Sequence, residues 1–365
     1  MIPKTPIRNR RIGGIRALVP PRSVRAELPL TREGEQVVTR GRDAGTSILN
    51  GSDDRLLIIV GPCSIHDPVA GLEYARRLAD LAEQCADELC LVMRAYFEKP
   101  RTTFGWKGLI NDPGLDGSFR IDEGLFAART FLLDVVSLGI PVGCEFLDPI
   151  TAEYVADTVS WGAIGARTSQ SQIHRQLASG LSMPIGFKNS TQGDVQVAVD
   201  AVAASAVAQA FPGIDDDGRA ALIETRGNPN GHIVLRGSSA GPNYDPRSVD
   251  DALDRLERSR LPLRVIIDAS HANSGKDPRE QAVVVADVAA RLMAGEPGIV
   301  GLMLESFLVP GRQDHTAGDS AALVFGQSIT DACIGWDTTV TAVGQLSRAI
   351  SRRRCRTGPE SVPRG

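Results

Sequence analysis

No stretch of the 365-residue chain approaches the roughly 18 apolar residues that a membrane-spanning helix needs, which excludes a helical membrane protein. The first residues, MIPKTPIRNRRIGG, are basic but lead into no apolar core of a secretory signal, so a cytoplasmic protein is expected. Excess positive charge is also missing: the formal net charge is −4, which argues against a general nucleic-acid or membrane-surface partner. No G-x-G-x-x-G follows the first apolar run, so a dinucleotide site is not expected. Cysteine is sparse. Cys63, Cys85, Cys90, Cys144, Cys333 and Cys355 are scattered, and in a reducing compartment they need not pair; most are expected as small buried apolar residues. Of the five histidines, His66, His174, His232 and His315 lie in no reactive context and read as structural or surface residues.

What is present is an apolar content of 42 %, ample for a sizeable core. Residues 1–50 are rich in Pro, Arg and Gly, with one amphipathic helix expected over Thr31 to Leu49 and Thr31 as its cap. Residues 352–365, RRRCRTGPESVPRG after Ser351, read as a disordered tail. Between them, residues 51–351 alternate short apolar runs with helical stretches. The runs are LLIIVGPCS, ELCLVMRAYF, PVGCEFLD, WGAIGART, PIGFKNS, HIVLRGS, LRVIIDASHAN and IVGLMLESFL. Helices are expected at Val69–Cys85, Glu123–Leu138, Val195–Gln209 and Arg279–Ala294. Continuous apolar runs suit parallel strands covered on both faces, and eight such units predict a (β/α)₈ barrel. A doubly wound open sheet is the alternative.

Each run ends in a polar or reactive residue: Cys63, Arg94, Glu145, Arg167, Lys188, Arg236, then Asp268 with His271, then Glu305. Barrel active sites are built at the carboxyl ends of the strands. Arg94, Lys99, Arg101, Arg167, Lys188 and Arg236 converging there would repel one another unless anions bind among them. Cys63, His271, Glu305 and Asp331 offer one sulfur, one nitrogen and two oxygens, a donor set for Mn²⁺, Fe²⁺, Co²⁺ or Zn²⁺ rather than Mg²⁺ or Ca²⁺. Asp268, three residues before His271, is placed to orient the imidazole or another rim group.

The motifs GPCSIHDP, MRAYFEKPRTTFGWKGLINDP, WGAIGART, GFKN, DASHAN and SITDACIGW together resemble those of the class I 3-deoxy-D-arabino-heptulosonate-7-phosphate (DAHP) synthases, over about Arg11 to Ser351. The resemblance implies a (β/α)₈ barrel with an N-terminal extension. It also implies the first step of the shikimate pathway, in which phosphoenolpyruvate and erythrose 4-phosphate condense with loss of phosphate. By the same resemblance Lys99, Pro100, Arg101 and Thr102 hold erythrose 4-phosphate, with Lys99 at the reacting centre. Phosphoenolpyruvate lies among Arg94, Arg167, Lys188 and Arg236, and Cys63, His271, Glu305 and Asp331 match the metal ligands. The motif KPRT argues against the related synthases that use arabinose 5-phosphate. Three positions depart from the family pattern: Gln170, Ser190 and Ser238.

The chain between the fifth and sixth runs exceeds one helix. DDDG between Phe211–Ile214 and Ala220–Thr225 predicts a β-hairpin outside the barrel. Such surplus elements serve either as contacts of a homo-dimer or homo-tetramer or, by the resemblance, as a site for an inhibitory aromatic amino acid near Phe211 and Gly213. FPGI at that point looks more like tyrosine-responsive members of the family.

Overall fold

The computed structural model describes residues 8–101, 105–318 and 323–357. The N-terminal extension holds two helices, α1 (Pro21–Glu27) and α2 (Arg32–Asn50). Thr31 caps α2 as expected, its hydroxyl accepting from the Gly34 amide at 3.0 Å. Val37, Val38, Ile48 and Leu49 of α2 are buried against the following domain.

Eight parallel strands close into a barrel, which excludes an open sheet. They are β1 (Leu56–Gly61), β2 (Leu89–Arg94), β3 (Val142–Glu145), β4 (Trp161–Ile164), β5 (Ile185–Lys188), β8 (Gly231–Leu235), β9 (Val265–Asp268) and β10 (Ile299–Glu305). They follow in that order around the barrel, and β10 pairs with β1 through Leu57↔Gly301 to Gly61↔Glu305. Nearly every strand residue is buried, because alternate side chains face two different cores. Leu57, Ile59, Val92, Trp161, Val234 and Met303 fill the interior. Leu56, Ile58 and Val60 point outward to the surrounding helices. Those helices include α3 (Pro68–Gln84), α4 (Ile121–Ser137), α5 (Ala152–Val155), α6 (Gln172–Gly180), α7 (Gln196–Ser205), α8 (Pro246–Arg258) and α9 (Glu280–Ala294).

The hairpin lies outside the barrel, formed by antiparallel β6 (Ala210–Ile214) and β7 (Ala220–Glu224). Helix α7 stops at Ser205 rather than Gln209, because the Gln209 amide donates to the Thr225 hydroxyl at 3.0 Å and is drawn into the hairpin base. The last helix, α10 (Trp336–Thr357), packs on α9 and continues past Ser351. The expected disordered tail is therefore corrected at its start: residues through 357 are helical, and Arg354 pairs with Asp54 at 2.5 Å. Residues 358–365 lie outside those described.

Of the cysteines, Cys355 is exposed and the other five are buried. His232 is a core residue; its Nε2 accepts from Trp161 Nε1 at 3.1 Å, and burial pulls its pKa down to about 4, keeping it neutral. Among the described residues no helix is long and apolar enough to cross a membrane.

Candidate active site

The carboxyl ends of the strands open into a cavity of about 290 Å³. Arg94, Lys99, Pro100, Arg101, Arg167, Lys188, Arg236, His271 and Asp331 all line it, so the residues picked from separate strand ends converge. Thr102 lies outside the described residues.

Arg94, the last residue of β2, is almost wholly buried. Its Nη2 is 2.9 Å from Glu305 Oε1, and its guanidinium sits 3.6 Å from the centre of the Tyr96 ring. Lys99 leaves the same strand and turns inward, its Nζ 3.1 Å from Cys63 Sγ and 3.2 Å from the Cys63 carbonyl oxygen. The loop it opens is closed at its base by the Lys99 amide donating to the Lys107 carbonyl at 2.8 Å. Burial disfavours the Lys99 ammonium, yet the Cys63 sulfur and Glu305 hold its pKa above the ordinary lysine value. Burial and Glu305 push the Cys63 thiol up, with Lys99 opposing.

One ligand atom each from Cys63, Glu305 and Asp331 lies within 4.8 Å of the other two. His271, expected as a fourth donor, stands outside that compact set, with its Nε2 3.8 Å from Glu305 Oε1. Its other nitrogen, Nδ1, is 2.9 Å from Asp268 Oδ2, so the ring presents Nε2 toward Glu305. A buried thiol and carboxylate and the half-buried Asp331 carboxylate, flanked by an oriented imidazole, fit a transition-metal ion.

Asp268 is fully buried and serves two partners, because Lys188 Nζ is also 3.0 Å from its Oδ2. Burial alone would raise this carboxyl; the charges of His271 and Lys188 and the hydrogen bonds from His271 and Ser270 outweigh it and hold it well below the usual range. Arg236 has no carboxylate partner among the described residues. Burial lowers its pKa, Asp268 works against that, and the nearby Arg167 adds to the lowering. Arg101 is exposed, and its Nε donates to the Trp106 carbonyl at 2.8 Å.

The strand-end reading passed over several cavity residues. One is Gly165: a side chain there would lie 2.1 Å from Oε1 of Glu145, the residue that ends the third run, so the glycine of GART makes room for that carboxylate. Ala166 also lines the cavity, and with no reactive side chain neither it nor Gly165 is found by a search for functional groups. Lys276 also lines it, from the turn after His271. The departures from the family pattern serve their own loops: Ser190 Oγ accepts from the Asp194 amide at 3.0 Å, and the Ser238 amide donates to the Gly241 carbonyl at 2.8 Å.

The chain is similar to known proteins over most of its length. The family model described as the DAHP synthetase I family matches residues 30–343. The chain belongs to the DAHP synthetase I family. A phospho-2-dehydro-3-deoxyheptonate aldolase of Corynebacterium glutamicum is 50 % identical over 351 residues, covering 95 % of each chain. The Phe-sensitive enzyme of Escherichia coli K12 is 50 % identical over 344 residues, covering 94 % of this chain and 97 % of its own. Relatives named Tyr-sensitive and Trp-sensitive also match. The solved structure of the enzyme from Francisella tularensis SCHU S4 superposes with a TM-score of 0.91 at 45 % identity, covering 94 % of this chain and 99 % of that one.

A separate cavity of about 430 Å³ lies beside the hairpin, between Ser179–Ser182 and Ile223–Asn230. Phe211 and Gly213 are on the paired strand and do not line it, Phe211 being paired with Ile223. A side chain at Gly213 would meet Ile223 Cγ1 at 2.6 Å.

Proposed function

We propose that this DAHP synthase condenses phosphoenolpyruvate with erythrose 4-phosphate in the cationic cavity, as its family membership and the names of its relatives support. The observation that carries the assignment is the surplus of positive charge. Arg167, Arg236 and Arg101 face one cavity without a carboxylate partner among the described residues, which suits two multiply anionic phosphate substrates. In this reading Arg94, Arg167, Lys188 and Arg236 share the carboxylate and phosphate of phosphoenolpyruvate. Lys99, Pro100, Arg101 and Thr102 hold the aldose phosphate. The cradle orients both substrates and offsets their mutual repulsion.

Cys63, Glu305, Asp331 and His271 would hold a divalent transition metal. Such an ion supplies Lewis-acid polarisation of the aldehyde oxygen. Lys99, buried and held protonated, donates a proton to the alkoxide that forms when C3 of the enol attacks the aldehyde. Water adds at C2, the C2–O bond to phosphate breaks, and inorganic phosphate leaves beside Arg167 and Arg236.

We also infer an aromatic amino acid effector bound at the hairpin, near Phe211 and Gly213, with tyrosine as the effector, and a homo-dimer or homo-tetramer built on the extension and hairpin. The deciding experiment supplies Mn²⁺ and phosphoenolpyruvate with erythrose 4-phosphate or arabinose 5-phosphate and follows phosphate release. Release with erythrose 4-phosphate alone is expected; release with arabinose 5-phosphate, or with neither, would refute the substrate assignment. Adding millimolar Tyr, Phe or Trp tests the effector: inhibition by tyrosine is expected, and inhibition by none would leave the hairpin as an assembly surface. Sedimentation checks the oligomer.

A further inference from the structure

The turn after β9 places a second residue besides His271 on the cavity wall. Lys276 lines the cavity together with Arg236, His271 and Asp331. It is exposed and forms no ion pair among the described residues. Its ammonium is close enough to Asp331 to add to the charges of Lys99 and His271 that overcome burial and hold that carboxyl below its ordinary value.

The backbone gives the position its significance. His271 and Lys276 both adopt left-handed conformations, with φ of 52° and 65°. That region carries a steric cost for any residue with a Cβ and none for glycine. Gly275, the preceding residue, takes φ 58° freely. The turn is braced so that this geometry persists. The Lys276 amide donates to the His271 carbonyl at 2.7 Å, and Ala272 N donates to Arg236 O at 3.2 Å. Asn273 Nδ2 donates to the Leu235 and Asp268 carbonyls at 3.0 and 2.8 Å. A lysine is thus kept where a glycine would be easier, beside the loop that carries Arg236. Strain of this kind, over-determined by its surroundings, marks a use for the side chain.

Charge accounting points the same way. Arg94 is paired with Glu305 and Lys188 with Asp268, so neither has a full charge free for a ligand. On the β4, β8 and β9 sides the unpaired cations among the described residues are Arg167, Arg236 and Lys276. Three such cations match a phosphate dianion better than the two that strand ends alone supply.

We propose that Lys276 is a substrate-binding residue that contacts the phosphate of phosphoenolpyruvate and, after the reaction, the inorganic phosphate released from it. This rests on the placement of phosphoenolpyruvate against Arg167 and Arg236 given above. The test uses the full-length, Mn²⁺-loaded protein and four variants: K276Q, K276R, K276G and R236A. Phosphoenolpyruvate binding is titrated calorimetrically without the aldose, and inhibition by inorganic phosphate is measured in steady state. Losing one charge-assisted contact should weaken both by about tenfold in K276Q and flatten the salt dependence of binding, with the erythrose 4-phosphate KM within twofold. K276R should keep most of the affinity. K276G should bind as weakly as K276Q while melting at a higher temperature, which separates the side chain's use from its backbone cost. If R236A weakens phosphoenolpyruvate but K276Q binds within twofold of the parent, the inference about Lys276 is wrong and the cradle stands. If R236A also leaves binding unchanged, the placement of phosphoenolpyruvate fails and the inference with it.

Discussion

Asp268→Asn removes one negative charge from the centre of the molecule with almost no change in shape. The wild-type carboxylate divides its work. Oδ1 accepts from the Ser270 hydroxyl at 2.5 Å and the Ser270 amide at 3.1 Å, while Oδ2 faces His271 Nδ1 at 2.9 Å and Lys188 Nζ at 3.0 Å. An asparagine can replace only one of those oxygens. Either its NH₂ group meets the Ser270 amide or it meets the ammonium and the imidazole, and in both cases the Lys188 charge stays buried without a counter-ion. Removing one partner of a buried pair costs about 3–5 kcal/mol. With an unfolding entropy of about 2.1 cal/mol/K per residue, the 365 residues give roughly 0.8 kcal/mol/K, so the melting temperature should fall by about 4–6 °C. The same change frees the His271 ring, and loss of such an orienting partner weakens metal binding by about 10–100-fold. The assay is a calorimetric melt in EDTA, followed by Mn²⁺ titration of the metal-free protein. A melting temperature within 1 °C of the parent together with unchanged Mn²⁺ affinity would refute the reasoning, because it would mean that Asp268 neither compensates Lys188 nor aims His271.

EDTA should abolish turnover and Mn²⁺ or Co²⁺ restore it, whereas Cys63→Ala should stay folded by circular dichroism and respond to neither; full activity in chelator with no bound metal would contradict the donor set. Arg101→Ala should raise the erythrose 4-phosphate KM about tenfold with little change for phosphoenolpyruvate, and Arg236→Ala should do the reverse, each removing one charge-assisted contact; equal effects on both KM values would count against the assignment. Glu98 is 4 % exposed; burial first and Asp148 second push its pKa up to about 7 from 4.5, with the Thr151 hydroxyl opposing. A raised acid binds its proton more tightly folded than unfolded, so wild-type stability falls as pH rises from 4.5 to 7 and stays low above it. Glu98→Gln should therefore be more stable than the parent at pH 8 by up to about 3 kcal/mol and lose that advantage by pH 4.5; parallel stability curves across the window would rule this out.

The barrel and much of its site were legible in the primary structure because both rest on short-range rules. A parallel strand buried on both faces must be apolar along its length, so runs such as LLIIVG and LCLVMR announced themselves, and the chain direction placed Arg94, Lys188 and Glu305 at one rim. The cap at Thr31 and the hairpin around DDDG were readable for the same reason, each needing only its own few residues. The length of α10 was not legible in the sequence, because a run of arginines has the pattern of a solvated tail and the pairing of Arg354 with Asp54, some 300 positions away, exists only in the folded chain. Which charges are free was likewise decided by the folded chain. Arg94 and Lys188 look like Arg167 and Arg236 in the sequence, but closure of the barrel sets Glu305 beside the first and Asp268 beside the second. Closure also gathers Cys63, Glu305 and Asp331 while leaving His271 at the edge of that group, and it turns Lys276 toward the cavity through a braced left-handed turn. Propensity and pattern act over a few residues, whereas the pairing of charges depends on distances of about 3 Å between side chains carried on different strands, and only tertiary packing sets those distances.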